Sequence, residues 1–243
     1  MTPEELVDAV CPEIASLGAA FYFAPETLAR GKELGLDGFR FYFLGRGGVL
    51  GDVEAPVVQS AFGYFAPALL KKMWDSGRAV VPPREAGRAY VEASREYGRA
   101  HFALVPDLEA FCAAAEAVRD AVHPAALALF AGLAAEPLAE DAPARAMQLL
   151  TVLRELRGSV HLLALVASGV APKVAHYFRR PGDFTTFGYA EEEVPALTDA
   201  DRARIAAADA LTDEIMARAF GELDEAGRAA LADGVRRLAA AVN

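Results

Sequence analysis

Four ionisable side chains interrupt the most apolar stretch of the chain. They are Arg154, Glu155, Arg157 and His161, within residues 146–169, AMQLLTVLRELRGSVHLLALVASG. At about 100° per residue, offsets of three and seven put Arg154, Arg157 and His161 on one helix face, with Gly158 between them. An unpaired buried guanidinium costs several kcal/mol, so two arginines here require carboxylates, carbonyls or a bound anion. A glycine inside a helix costs about 1 kcal/mol relative to alanine, and Gly158 suggests that something approaches the backbone closely. Two readings stand side by side: a structural ion-pair network with His161 as a satisfied core histidine, and a site for an anionic or carbonyl-bearing ligand. Glu155 and His161 lie six residues apart, hence on different faces, and do not form an acid–base pair.

Other chemistry finds little support. The histidines His101, His123, His161 and His176 are dispersed, and no H-E-x-x-H or E-x-x-H occurs, so no metal site is expected. There is no G-x-S-x-G elbow and no Cys/His pair. Cys11 and Cys112 read as reduced core residues of a cytoplasmic protein. Catalytic residues and cofactors stay unassigned. A net charge of −10 works against a nucleic-acid surface, since that affinity comes largely from Lys and Arg meeting phosphates. MTPEELVDAV lacks the basic region of a secretory signal, and no apolar run reaches the ~18 residues of a membrane span.

The elements that position these residues read as helices throughout. Thr2-Pro3-Glu4-Glu5 is a capping box that predicts a helix over 3–17, ended by Gly18. Pro25-Glu26-Thr27 opens a second, to about Gly35. Ten of the chain's 14 Phe, 7 Tyr and single Trp residues fall between Phe21 and Phe65, a concentration that suits either a subdomain core or the wall of an apolar pocket. GRGGVLGD, residues 45–52, reads as a glycine-rich loop able to present backbone N–H groups to an anion, or as a turn with Arg46 in solvent. Residues 53–75 predict one helix kinked near Pro67. Further helices are expected over 83–104, 107–122, up to Ala135, 142–169, through Phe178, 198–220 and 224–242, with Thr198 and Asp224 as N-caps.

The fold expected is all-α: a multi-helix bundle around a buried central helix at about 142–169, with aromatic-rich N-terminal helices. Residues 1–178 would form a helical domain with the pocket. Residues 179–196, without helical periodicity, would form a loop or lid, and 197–243 a helical pair packed on the domain. The ligand set this suggests is Tyr22, Phe23, Arg46, Tyr64, Arg154, Arg157 and His161. The partner is a small, largely apolar molecule, with no membrane, and with the assembly open between monomer and homodimer. An enzyme of unassigned reaction falls within the same reading.

Three motifs add a resemblance. Residues 22–26 (YFAPE), 45–53 (GRGGVLGDV) and 153–161 (LRELRGSVH) resemble T-Y-F-A-P-E, G-R-A-A-P-L-G-P-V and L-R-E-H-R-G-D-G-H of a mostly actinobacterial family of helical proteins classed as helix-turn-helix and MarR-like. Arg46, Arg154, Glu155, Arg157, Gly158 and His161 match. The family's histidine before the first motif is replaced around residues 18–20, and Leu156 and Ser159 stand where its histidine and acidic residue fall. The resemblance implies a ligand-responsive transcriptional regulator. The family's G-W-S-x-E-E-W helix and winged segment are reduced here to FGYAEEEVPALT, whose Glu191, Glu192 and Glu193 are the wrong charge for a DNA groove. DNA is therefore not expected as a partner of this chain.

Overall fold

The computed structural model describes residues 1–242, and among these there are twelve α-helices and no strand. Helix α1, Pro3–Leu17, starts where Thr2 and Glu5 cap each other and buries Leu6, Val10, Ile14 and Leu17 along one face. Helix α2, Pro25–Glu33, is followed by a turn through Gly35 at φ 76°. Asp37 caps α3, Gly38–Gly47, accepting the Arg40 N–H at 2.8 Å.

The glycine-rich loop expected at 45–52 is mostly not a loop. Gly45 to Gly47 complete α3, and Gly48–Leu50 tighten into a 3₁₀ turn. Close packing accounts for these glycines. A Cβ on Gly45 would lie 2.6 Å from the Tyr90 ring, one on Gly47 2.8 Å from Trp74, and one on Gly48 2.1 Å from the Pro83 carbonyl oxygen.

The single kinked helix expected over 53–75 is two. Helix α4, Ala55–Phe62, stops at Gly63 (φ 66°), and α5, Pro67–Arg78, starts after four residues. Gly63 serves both the left-handed turn and a close approach, since a Cβ there would meet Leu162 at 2.3 Å. Helix α6, Pro83–Phe102, α7, Leu108–Ala121, and α8, Ala128–Ala134, follow.

Helix α9, Ala142–Ala167, is the centre of the bundle. Asp141 caps it, accepting the Ala144 N–H at 3.1 Å, and every residue from Ala146 to Leu153 is buried. Helices α1, α6, α7 and α8 pack on it, as do α10, Pro172–Arg179, and α11, Asp199–Gly221. At Gly98 the α6 backbone comes so near that a Cβ would lie 2.4 Å from the Pro143 carbonyl oxygen. Thr198 caps α11 as expected, and Asp224 accepts the Gly227 N–H at 2.7 Å at the start of α12, Glu225–Val242, which packs on α1 and α7.

Between α10 and α11 the chain forms 3₁₀ turns at Pro181–Asp183 and Glu191–Glu193. It is held to the α4–α5 turn by the Ala66 N–H donating to the Phe187 carbonyl at 2.8 Å and by Phe65 stacked on Phe187 at 4.2 Å. Among the described residues no single helix is long and apolar enough to cross a membrane.

Candidate functional site

Glu155 decides the arrangement around α9. It points off the apolar side of the helix at 1% exposure and accepts a bidentate fork from Arg46 of α3, Nε to Oε1 at 2.8 Å and Nη2 to Oε2 at 2.8 Å. Arg154 Nη1 donates to Oε1 at 2.9 Å, and so does the Tyr22 hydroxyl at 2.9 Å. Arg154 also donates to the Tyr22 oxygen at 2.8 Å and to the Ala15 carbonyl at 3.3 Å, while Arg46 Nη1 reaches the Tyr42 hydroxyl at 3.1 Å. Burial acts to raise the Glu155 pKa, but Arg46 and Arg154 outweigh it and hold the carboxyl down at about 2. Two guanidinium groups against one carboxylate leave this network with a surplus positive charge.

Arg157 and His161, about one and two turns beyond Arg154, face α11 instead. Arg157 Nη2 lies 3.5 Å from Asp213 Oδ1, a weak contact, and its buried Nε has no hydrogen-bond partner. His161 Nδ1 lies 3.0 Å from Thr212 Oγ1. Burial, reinforced by Arg179 and Arg157 against Asp209, pushes the His161 pKa down to about 4, so the ring is neutral near pH 7. The shared face predicted for Arg154, Arg157 and His161 is thus divided, with Arg154 drawn into the Glu155 network.

Both sets border one cleft of about 480 Å³, between α1, α3, the α4–α5 turn, α9 and α10. Arg46, Tyr64, Arg154, Arg157 and His161 lie on its wall. Of the other two residues in the predicted set, Tyr22 lies beneath it, bonded to Glu155 and Arg154, and Phe23 is 48% exposed, stacked on Phe39 and Tyr42 outside it. His176, Arg179, Arg180 and Phe187 join the wall, which sequence reasoning missed because they come from α10 and the aperiodic segment after it. His176 is buried against Phe187, ring centroids 3.8 Å apart, with Nε2 unpartnered. In a chain of net charge −10 the cleft wall carries five arginines and one carboxylate, already saturated by Arg46, Arg154 and Tyr22. Carboxylates behind the wall offset part of that charge: Asp209 holds Arg179, and Asp213 and Asp183 stand 3.5 and 3.8 Å from Arg157 and Arg180. The charge that remains favours anions, and the aromatic rings suit an apolar body.

Gly158 corrects an expectation. No atom approaches the place its Cβ would take; the position opens on the cleft. Gly158→Ala is therefore expected to stabilise the protein by about 0.5–1 kcal/mol through helix propensity, read as a rise in chemical-denaturation midpoint at unchanged slope.

The fold and cleft define an all-helical protein with a cationic, aromatic-lined cavity against its central helix. The chain belongs to a helix-turn-helix family, whose model matches residues 8–192, a span that includes every residue on the cleft wall. Searches of curated proteins and of solved structures return no match.

Proposed function

We propose that this chain is a ligand-responsive regulator of the helix-turn-helix family, of the MarR-like kind that its motifs resemble. The cleft would sense a small, largely apolar molecule with an anionic or carbonyl group. The observation that carries this reading is where the cleft lies. Helices α4 and α5, joined by four residues around Gly63, have a helix–turn–helix layout, and Tyr64 and Phe65 of that turn are on the cleft wall. A ligand in the cleft would touch the turn directly, and one that favours a particular setting of the turn shifts the population of α5 orientations. Lys71 and Lys72 are exposed on α5.

A second reading keeps the ligand and removes DNA. The net charge of −10 favours it, as do Glu191, Glu192 and Glu193, which stand where the motif pattern leads to a winged segment.

Two measurements on the full chain test these readings. Thermal shift is run with arylalkanoic acids, alkyl phosphates and their neutral esters, and fluorescence anisotropy with duplex from upstream of its own gene at moderate salt. Charged members should raise the melting temperature more than the esters, and Arg157→Met should remove the difference. Sub-micromolar DNA binding that exceeds random duplex and weakens with the same ligand supports the regulator. Stabilisation without any DNA preference supports the second reading, and no stabilisation by any anion overturns both.

A further inference from the structure

We propose that the cleft selects an anion carrying its own hydrogen-bond donor, which is received by Nε2 of His161 while the charged group meets Arg157. This deepens the ligand-site reading above and rests on it.

The argument starts from a single proton. The Thr212 hydroxyl has one, and it is donated within α11 to the Ala208 carbonyl at 2.7 Å. Toward His161, 3.0 Å away, Thr212 can therefore only accept, so the ring proton is on Nδ1. Asp209 Oδ1, 3.8 Å from Nδ1, favours the same tautomer. A neutral ring protonated at Nδ1 presents Nε2 as a bare acceptor. The His161 side chain keeps 10% of its surface exposed and the ring is on the cleft wall, so Nε2, opposite the Nδ1 that faces Thr212, is the ring nitrogen left for the cavity. The cationic groups around it, Arg157, Arg179 and Arg180, are donors only. Arg157 precedes His161 by four residues, so the two are neighbours on one helix face, with Cβ atoms roughly 5–6 Å apart. Arg157 is the cationic end of the pair: its Nε is buried, but its guanidinium end, in a side chain 31% exposed, is held only by a 3.5 Å contact to Asp213 and keeps donors to give. A ligand that matches both would place an anionic group and an O–H or N–H about one helical turn apart, on a body thin enough to lie against Tyr64 and Phe187.

A site built to hydrogen-bond a ligand hydroxyl discriminates strongly against the analogue that lacks it. The experiment is calorimetric titration of the full chain with phenylacetate, its three ring-hydroxylated isomers and their methyl ethers. At least one hydroxy isomer is expected to bind tenfold or more tighter than its ether. That advantage, taken as the ratio of hydroxy isomer to ether within each protein, should disappear in His161→Phe, persist in His176→Phe and shrink in Thr212→Val, which frees the tautomer. If phenylacetate binds but no isomer gains, or if the gain survives in His161→Phe, this inference falls and the ligand site stands. Absence of binding by every probe overturns both. Nitrogen NMR of the ligand-free protein provides an independent arm. Nδ1–H is expected at His161, and Nε2–H would overturn the proposal whatever the titrations show.

Discussion

Replacing Glu155 by alanine is expected to cost the fold about 3–5 kcal/mol, because it strands two mostly buried guanidinium groups that lose their shared carboxylate. The Arg46 side chain is only 11% exposed, and its fork to Glu155 joins α3 to α9. For a chain of this length the loss should appear as a melting temperature lower by roughly 10–15 °C. Arg154→Met should be much milder, at about 1 kcal/mol, since Arg46 and Tyr22 still satisfy the carboxylate. The order Glu155, Arg46, Arg154 is the diagnostic outcome, and equal losses at Glu155 and Arg154 would contradict the geometry. The same carboxyl imposes a pH dependence of definite sign. Its folded pKa of about 2 lies below the ordinary 4.5, so its contribution is fully present above about pH 5 and is lost as pH falls toward 2. The stability gap between the natural protein and Glu155→Gln should therefore narrow across that window.

The second large effect is expected at Gly48. Its φ of −63° suits any residue, so the demand is for space alone. A methyl group would lie 2.1 Å from the Pro83 carbonyl oxygen and 2.8 Å from the Gly87 nitrogen, and a Cβ on Gly87 would press back against Gly48 at 2.9 Å. The obstructing atoms are backbone, which no rotamer change can move. Gly48→Ala should cost about 3 kcal/mol, the upper end of ordinary overpacking, with urea midpoints as the readout. The contrast with Gly158→Ala, expected to stabilise, is the sharper test. Two glycines in or beside helices, given the same substitution, should respond with opposite signs because one faces a neighbouring backbone and the other faces the cleft.

These two glycines also show what could be read in the sequence. Local signals served well wherever the cause was local. The reciprocal cap of Thr2 and Glu5, the proline starts and the Thr198 cap placed helix ends within a residue or two. The unbroken apolar run marked α9 as the centre. Residues 45–48 misled because glycine carries no sign of which demand it meets, a left-handed backbone or the nearness of another helix. Glu155 lies on a different face from His161, and local spacing assigns it no partner. Its meaning came from Arg46, 109 residues earlier, and no spacing rule spans that distance. Arg179 and Arg180 stayed out of the predicted set because the residues that follow them have no periodicity from which to infer a facing direction. Phe23 shows the converse limit. Adjacent to Tyr22 in an aromatic cluster, it turns outward to stack on Phe39 while Tyr22 turns in.

Helix α1 packs against both α11 and α12, and Arg228 of α12 donates to the Met1 carbonyl at 2.9 Å. Part of the surface of α1 thus waits for partners that lie near 200 residues downstream. On the ribosome, where synthesis runs at about 5–20 residues per second, that interval lasts on the order of ten seconds or more. Throughout it the nascent chain carries an amphipathic helix without its final contacts, which are the non-local kind that slow folding most. Stalling translation ahead of residue 199 should leave this helix accessible to proteases and chaperones, while release of the last two helices closes it.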